Sequence, residues 1–76
     1  MSKADEMIKR LGYKKSKEKY AEVYTKEYDL YVRQFAFNKE YKDILLDLEY
    51  LTMEELQAIN EKVKELGWLW VKREKI

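Results

Sequence analysis

The side chains that could do chemistry in this chain are carboxylates, lysines and tyrosines, and their neighbours say more than their number. Glu54 with Glu55, and Asp47 with Glu49, are the nearest pairs for general acid/base work. Such work needs one carboxyl tuned away from its ordinary pKa. Glu55 has another task, because three residues after Thr52 it completes a helix capping box. Asp47 and Glu49 alternate along a strand pattern and fall on its wet side, where water keeps carboxylates ionised. The chain has no histidine and no cysteine. The commonest neutral-pH base, the commonest transition-metal ligand and any thiol nucleophile are therefore missing, and a non-enzymatic protein without cofactor or metal is expected. Gly12 and Gly67 stand too far apart for a phosphate-cradling loop, and no glycine turn carries alternating oxygen ligands for calcium.

Binding by surfaces is the remaining class, and two sets of residues offer it. Lys14, Lys15, Lys17 and Lys19 form a basic stretch beside a tyrosine-rich segment, a combination that can hold nucleic acid by stacking and phosphate attraction. The balance of the whole chain is only +1, far from the basic excess usual in such domains. Tyr31, Phe35, Phe37, Trp68 and Trp70 form the second set, aromatic anchors for a protein partner or a second copy of the chain. The charges are also segregated. Residues 9–20 carry Lys9, Arg10, Lys14, Lys15, Lys17 and Lys19 against Glu18, a net of +5. Residues 43–61 carry Asp43, Asp47, Glu49, Glu54, Glu55 and Glu61 with no base, a net of −6. Such blocks are either solvated faces or a means of steering a partner.

The elements that must position these residues are legible from start and stop signals. Thr52 as N-cap, Glu55 in the box, and Leu51 and Leu56 as a hydrophobic staple open a helix, which Gly67 closes with Trp68 folding back on Val63. Between them Met53, Leu56, Ile59, Val63 and Leu66 form one apolar arc, with Glu54, Gln57, Glu61, Lys64 and Glu65 facing away. Ser2 caps a first helix, with Asp5 in the acidic slot of a weaker box and Ala4, Met7, Ile8 and Leu11 as its stripe. Gly12 and Tyr13 end it with the same Leu-Gly-aromatic device.

Lys14 to Lys19, without an apolar residue, reads as a loop. Tyr, Val and Thr content predicts strands at Lys19 to Thr25 and Leu30 to Phe37, joined by a turn at Lys26 to Asp29. Asn38 to Glu40 is a second turn, tight enough for a hairpin. Tyr41 to Tyr50 is the third strand, with Ile44, Leu46, Leu48 and Tyr50 on one face. The second strand is apolar on both faces. It is either central, with an outer face shielded by long side chains, or covered by a partner. Trp70 either adds a short C-terminal strand or protrudes as an anchor. The expectation is a single α+β domain over 1–76: helix, three-stranded antiparallel β-meander, helix, in two layers. With 76 residues, 41% of them charged, the chain holds no membrane-spanning stretch of the roughly 20 apolar residues required. Together with the lack of cysteine this points to the cytoplasm.

The runs ADEMIKRLGY (Ala4 to Tyr13) and LTMEELQAINEKVKELGW (Leu51 to Trp68) resemble those of small uncharacterised proteins from phages, prophages and other mobile elements of Gram-positive bacteria. The resemblance implies a helix, β-meander, helix domain in the host cytoplasm, with no catalytic residue to carry over. It further implies a role in binding a host or phage protein, such as inhibition of a defence-system component.

Overall fold

The computed structural model of the chain describes residues 2–68. Within them the order is α1 (Lys3–Arg10), β1 (Lys14–Lys17), β2 (Ala21–Glu27), β3 (Val32–Asn38), β4 (Asp43–Asp47) and α2 (Met53–Glu65). The strands form one antiparallel sheet in sequential order β1-β2-β3-β4. The α+β class holds, but the meander has four strands rather than three. The lysine stretch read as a loop is β1, paired residue for residue with β2 from Lys14↔Thr25 to Lys17↔Glu22. Four exposed polar residues carry no hydrophobic alternation, so the pairing comes from backbone bonds to β2 rather than from a buried face.

Both helices stop as their sequences indicate. At Gly12 (φ +99°) the Tyr13 N–H donates to the Ile8 carbonyl and the Gly12 N–H to that of Lys9. At Gly67 (φ +76°) Trp68 and Gly67 repeat these bonds to Val63 and Lys64. Both are Schellman closures, which require the left-handed backbone that glycine adopts without strain. At Gly12 a Cβ would also meet the Lys26 side chain at 3.0 Å. The Thr52 box closes in both directions, with the Glu55 N–H donating to Thr52 Oγ1 and the Thr52 N–H to Glu55 Oε1, each at 3.0 Å. Thr52→Ala is accordingly expected to lower unfolding free energy by about 1 kcal/mol, measured as a shifted urea midpoint at unchanged slope. Ser2 caps α1 by accepting from the Asp5 N–H, but the Asp5 carboxylate points away into the fold instead of closing a box.

The helices lie side by side on one face of the sheet. Ile8, Tyr13, Tyr24, Phe35, Phe37, Ala58 and Ile59 make the core between the layers. On β3 the alternation places Arg33, Phe35 and Phe37 beneath the helices and Val32, Gln34, Ala36 and Asn38 on the outer face. Phe35 and Phe37 are 1% and 0% exposed, so these two expected anchors are core residues. Tyr24 stacks on Phe35 with centroids 5.4 Å apart, and Phe37 meets both rings edge-on. The turn between β2 and β3 falls two residues later than read, at Asp29 and Leu30, with the Tyr28 N–H donating to the Tyr31 carbonyl. β4 spans only the middle of the third expected strand. No helix among the described residues is long and apolar enough to cross a membrane.

The largest departure concerns α2. Its buried residues are Glu55, Ala58, Ile59 and Lys62, whereas Met53 is 67% exposed and Leu56 borders on exposure. The helix is rolled away from the face that its apolar stripe marks. Ala58 is fully buried in the core, and the two charged residues meet opposite charges on the sheet. That roll leaves apolar side chains on the outward flank.

Candidate protein-interaction surface

Two groups of charged side chains lie between the layers. In the first, Asp5 of α1 and Glu22 of β2 share Lys15 of β1 and Lys62 of α2. Lys62 Nζ lies 2.7 Å from Glu22 Oε1 and 3.1 Å from Asp5 Oδ1, and Lys15 Nζ lies 3.1 and 2.8 Å from carboxylate oxygens of the same pair. The Tyr24 hydroxyl donates to Asp5 Oδ1 at 2.6 Å. Burial pushes the Glu22 carboxyl up, but hydrogen bonds from Lys62 and Lys15 outweigh it and hold the pKa at about 2. Asp5 is driven the same way against its burial by Lys15, Tyr24 and Lys62. Tyr24 moves far above its ordinary value through burial and the Asp5 carboxylate.

The second group joins α2 to β3. Arg33 Nη2 donates to Glu55 Oε1 at 2.6 Å and to the Tyr50 carbonyl at 3.1 Å, while Tyr13 Oη donates to Glu55 Oε2 at 2.6 Å and accepts from Arg33 Nε at 3.3 Å. Burial opposes ionisation of Glu55, yet bonds from Arg33, Tyr13 and the Thr52 N–H bring its pKa to about 2. Tyr13 rises to about 12 through burial and Glu55, against Arg33. Every buried polar side-chain atom among the described residues has a hydrogen-bond partner. The carboxylates of both groups stay ionised near neutral pH, and the groups act as clamps between layers.

The exposed candidates lie elsewhere. β1 and β4 are the two edges of the sheet, and they differ in kind. β1 reads Lys-Lys-Ser-Lys, a blunted edge of the sort that discourages pairing with another chain. β4 reads Asp-Ile-Leu-Leu-Asp, with Leu45 66% and Leu46 48% exposed. Leu46 lies opposite buried Phe35, on the helix side of the sheet, so the helices leave β4 half uncovered. Tyr50, Leu51 and Met53, which follow β4 in the chain and lead into α2, are exposed as well. At the end of β4 a cleft of about 500 Å³ opens between residues 31–33 and 47–50. Its Arg33 guanidinium lies 4.4 Å from the Tyr50 ring centroid.

Of the expected protein anchors, the structure brings only Tyr31 to this surface, half-exposed and stacked on Tyr28 with centroids 4.5 Å apart. Phe35 and Phe37 are buried, Trp68 packs on Phe37 at 6.3 Å, and Trp70 lies outside the described residues. Of the basic set, Lys15 is bound between Asp5 and Glu22 and the Lys19 ammonium sits 5.2 Å from the Tyr20 ring centroid, while Lys14 and Lys17 are exposed on β1. Sequence reasoning missed Leu45, Leu46, Tyr50, Leu51, Met53 and Leu56 as surface residues. For Leu46, Tyr50, Met53 and Leu56 the signal was the very one used for the core, an apolar stripe at the right period, and only packing distinguishes a covered stripe from an open one; Leu45 falls on the wet face by the same alternation. Comparisons with protein-family models, with curated proteins and with solved structures give no match, so the chain's own geometry is what bears on its function.

Proposed function

We propose that this chain is a non-enzymatic protein-interaction module that binds through the face running from Tyr31 across β4 to the first turn of α2. The observation that carries the reading is the set of exposed apolar side chains at and just after β4, Leu45 and Leu46 on its two faces and Tyr50 and Met53 beyond its end, on an edge strand that itself holds no lysine. A strand at a sheet edge with apolar side chains exposed on both faces is a ready site for another chain to pair with. The resemblance of both helices to mobile-element proteins of Gram-positive bacteria makes a host protein, a defence component among them, the partner class to try first. Binding would then inhibit or modulate that protein in the cytoplasm. The test is capture from a Gram-positive host lysate by the full chain and by its Leu45→Lys and Met53→Lys variants, after circular dichroism shows both folded. Proteins retained by the wild type should be lost from both variants. Undiminished capture by both overturns the reading. So does capture of nucleic acid that vanishes on Lys14→Glu and Lys17→Glu.

A further inference from the structure

The occupant of the β4 edge can be specified by chemistry, given the reading that this face binds protein. In an antiparallel sheet residues alternate between exchanging their backbone bonds with one neighbour and with the other. The Lys39 N–H donates to the Tyr20 carbonyl at 2.7 Å, one pair beyond Ala21↔Asn38. The alternation therefore turns the backbone groups of Phe35 and Phe37 toward β2. Phe35 lies opposite Leu46 and Phe37 opposite Ile44. Those pairs are then the non-bonded ones, and the N–H and C=O groups of Ile44 and Leu46 point out along the open edge.

That row of backbone groups is flanked by like charge. Asp43 and Asp47 bound β4, Glu49 follows, and none of the three forms an ion pair among the described residues. The cleft at the end of the strand has two tyrosine walls, Tyr31 and Tyr50, beside Asp47 and Glu49. Its own Arg33 is neutralised by Glu55, so the uncompensated charge there is negative.

A second copy fits this edge poorly. Antiparallel pairing about Leu45 sets Asp43 against Asp47 of the other copy twice, and pairing about Leu46 sets Asp43 against Glu49 twice, while pairing about Ile44 keeps only residues 43–45 of β4 opposite one another. Like charges directly opposite are destabilising. Head-to-tail joining of β4 to β1 matches charge, but β1 has no apolar side chain to cover Leu45 and Leu46.

We infer that β4 takes an extended segment of a partner protein in which basic residues flank or alternate with apolar ones, added as a further strand on the Ile44 and Leu46 backbone groups, with a Lys or Arg side chain in the Tyr31–Tyr50 cleft. Main-chain bonds supply the docking and the side-chain pockets supply the selection. The Asp47 and Glu49 carboxylates attract the cation, and the Tyr31 and Tyr50 side chains line the apolar stem that carries it.

The test uses a nine-residue peptide alternating Arg with Val and a control alternating Glu with Val, titrated into the ¹⁵N-labelled full chain. The basic peptide should shift the Ile44 and Leu46 amide signals and slow their hydrogen exchange. It should bind at least tenfold more tightly than the acidic one, with affinity falling as salt rises. Asp43→Lys with Asp47→Lys should reverse the preference while leaving the dispersed spectrum of the sheet intact. Equal binding of both peptides, or shifts confined to β1, overturns the inference. So does a solution mass of two chains that returns to one on Leu45→Lys, since the edge is then filled by a second copy. A lysate protein that Leu45→Lys releases but the Asp43, Asp47 double variant retains also overturns it, while leaving the interaction-module reading standing.

Discussion

Glu55→Ala is expected to lower the unfolding free energy by about 3–5 kcal/mol, the usual cost of removing one partner from a buried ion pair. The substitution strands the Arg33 guanidinium, 2.6 Å from Glu55 and nearly without solvent access, with only the Tyr50 carbonyl and the Tyr13 oxygen left to it. It also removes the acceptor of the Tyr13 hydroxyl and of the Thr52 N–H at the start of α2. A domain of 76 residues has a total margin of about 4–11 kcal/mol at 0.05–0.15 kcal/mol per residue. The loss is therefore a large share of the whole. Urea unfolding followed by circular dichroism reads it directly. Replacing the pair together, Arg33→Met with Glu55→Met, should recover much of the stability, because apolar groups of similar volume leave no charge unpaired. A loss below about 1 kcal/mol for the single change would refute the clamp, since that is the size of an exposed pair.

Acid should unfold the protein between pH 4.5 and pH 2. Glu22 and Glu55 fall from ordinary values of 4.5 to about 2 in the fold, and Asp5 is lowered from 3.8. A carboxylate whose folded pKa lies below its unfolded value stabilises the fold at pH above the unfolded value. That contribution drains away as pH falls toward the folded value. For Glu22 and Glu55, with side chains 8% and 6% exposed, the difference corresponds to roughly 3 kcal/mol each, at 1.36 kcal/mol per pKa unit. Together they rival the whole margin. Thermal melts at pH 7, 4, 3 and 2 should show a midpoint that holds above pH 5 and then falls steeply. Tyr13, raised to about 12, acts in the opposite sense. Its contribution is present below pH 10 and is lost as pH rises toward 12, so an alkaline limb is expected as well. A midpoint unchanged down to pH 3 would show that these carboxylates are not held as the geometry indicates.

Both predictions concern residues whose burial the sequence conceals. Glu55 is visible as a capping residue, and that role is real, but the same carboxylate also reaches Arg33 and Tyr13, 22 and 42 positions away. Lys62 carries no mark in the sequence and joins Asp5 to Glu22. Capping is local, carried by residues three apart on one backbone, and so can be read in order along the chain. Ion pairing across layers depends on which helix face meets the sheet, and nothing local states that.

The strands divide in the same manner. β2 and β3 announce themselves by β-branched and aromatic content, and the alternation of Ile44, Leu46 and Leu48 sets the face of β4 correctly. β1 lacks any such pattern because an edge strand with both faces wet needs only a partner's backbone. Its lysines suggested nucleic acid when taken as a loop. As a strand, they blunt one edge of the sheet, while Lys15 turns inward to a structural cluster. Phe35 and Phe37 suggested a contact surface because β3 is apolar on both sides, and the structure resolves this by burying that side under both helices.

By itself the sequence determined the two helices, their caps and glycine stops, the pairing of β2 with β3 and of β3 with β4, and the α+β class, because each rests on contacts between residues near in the chain. Only the tertiary structure decided how α2 rolls. By burying Glu55 and Lys62 against opposite charges, it leaves Met53 exposed among the described residues, where it joins Leu45 and Leu46 of β4 in the surface proposed for binding.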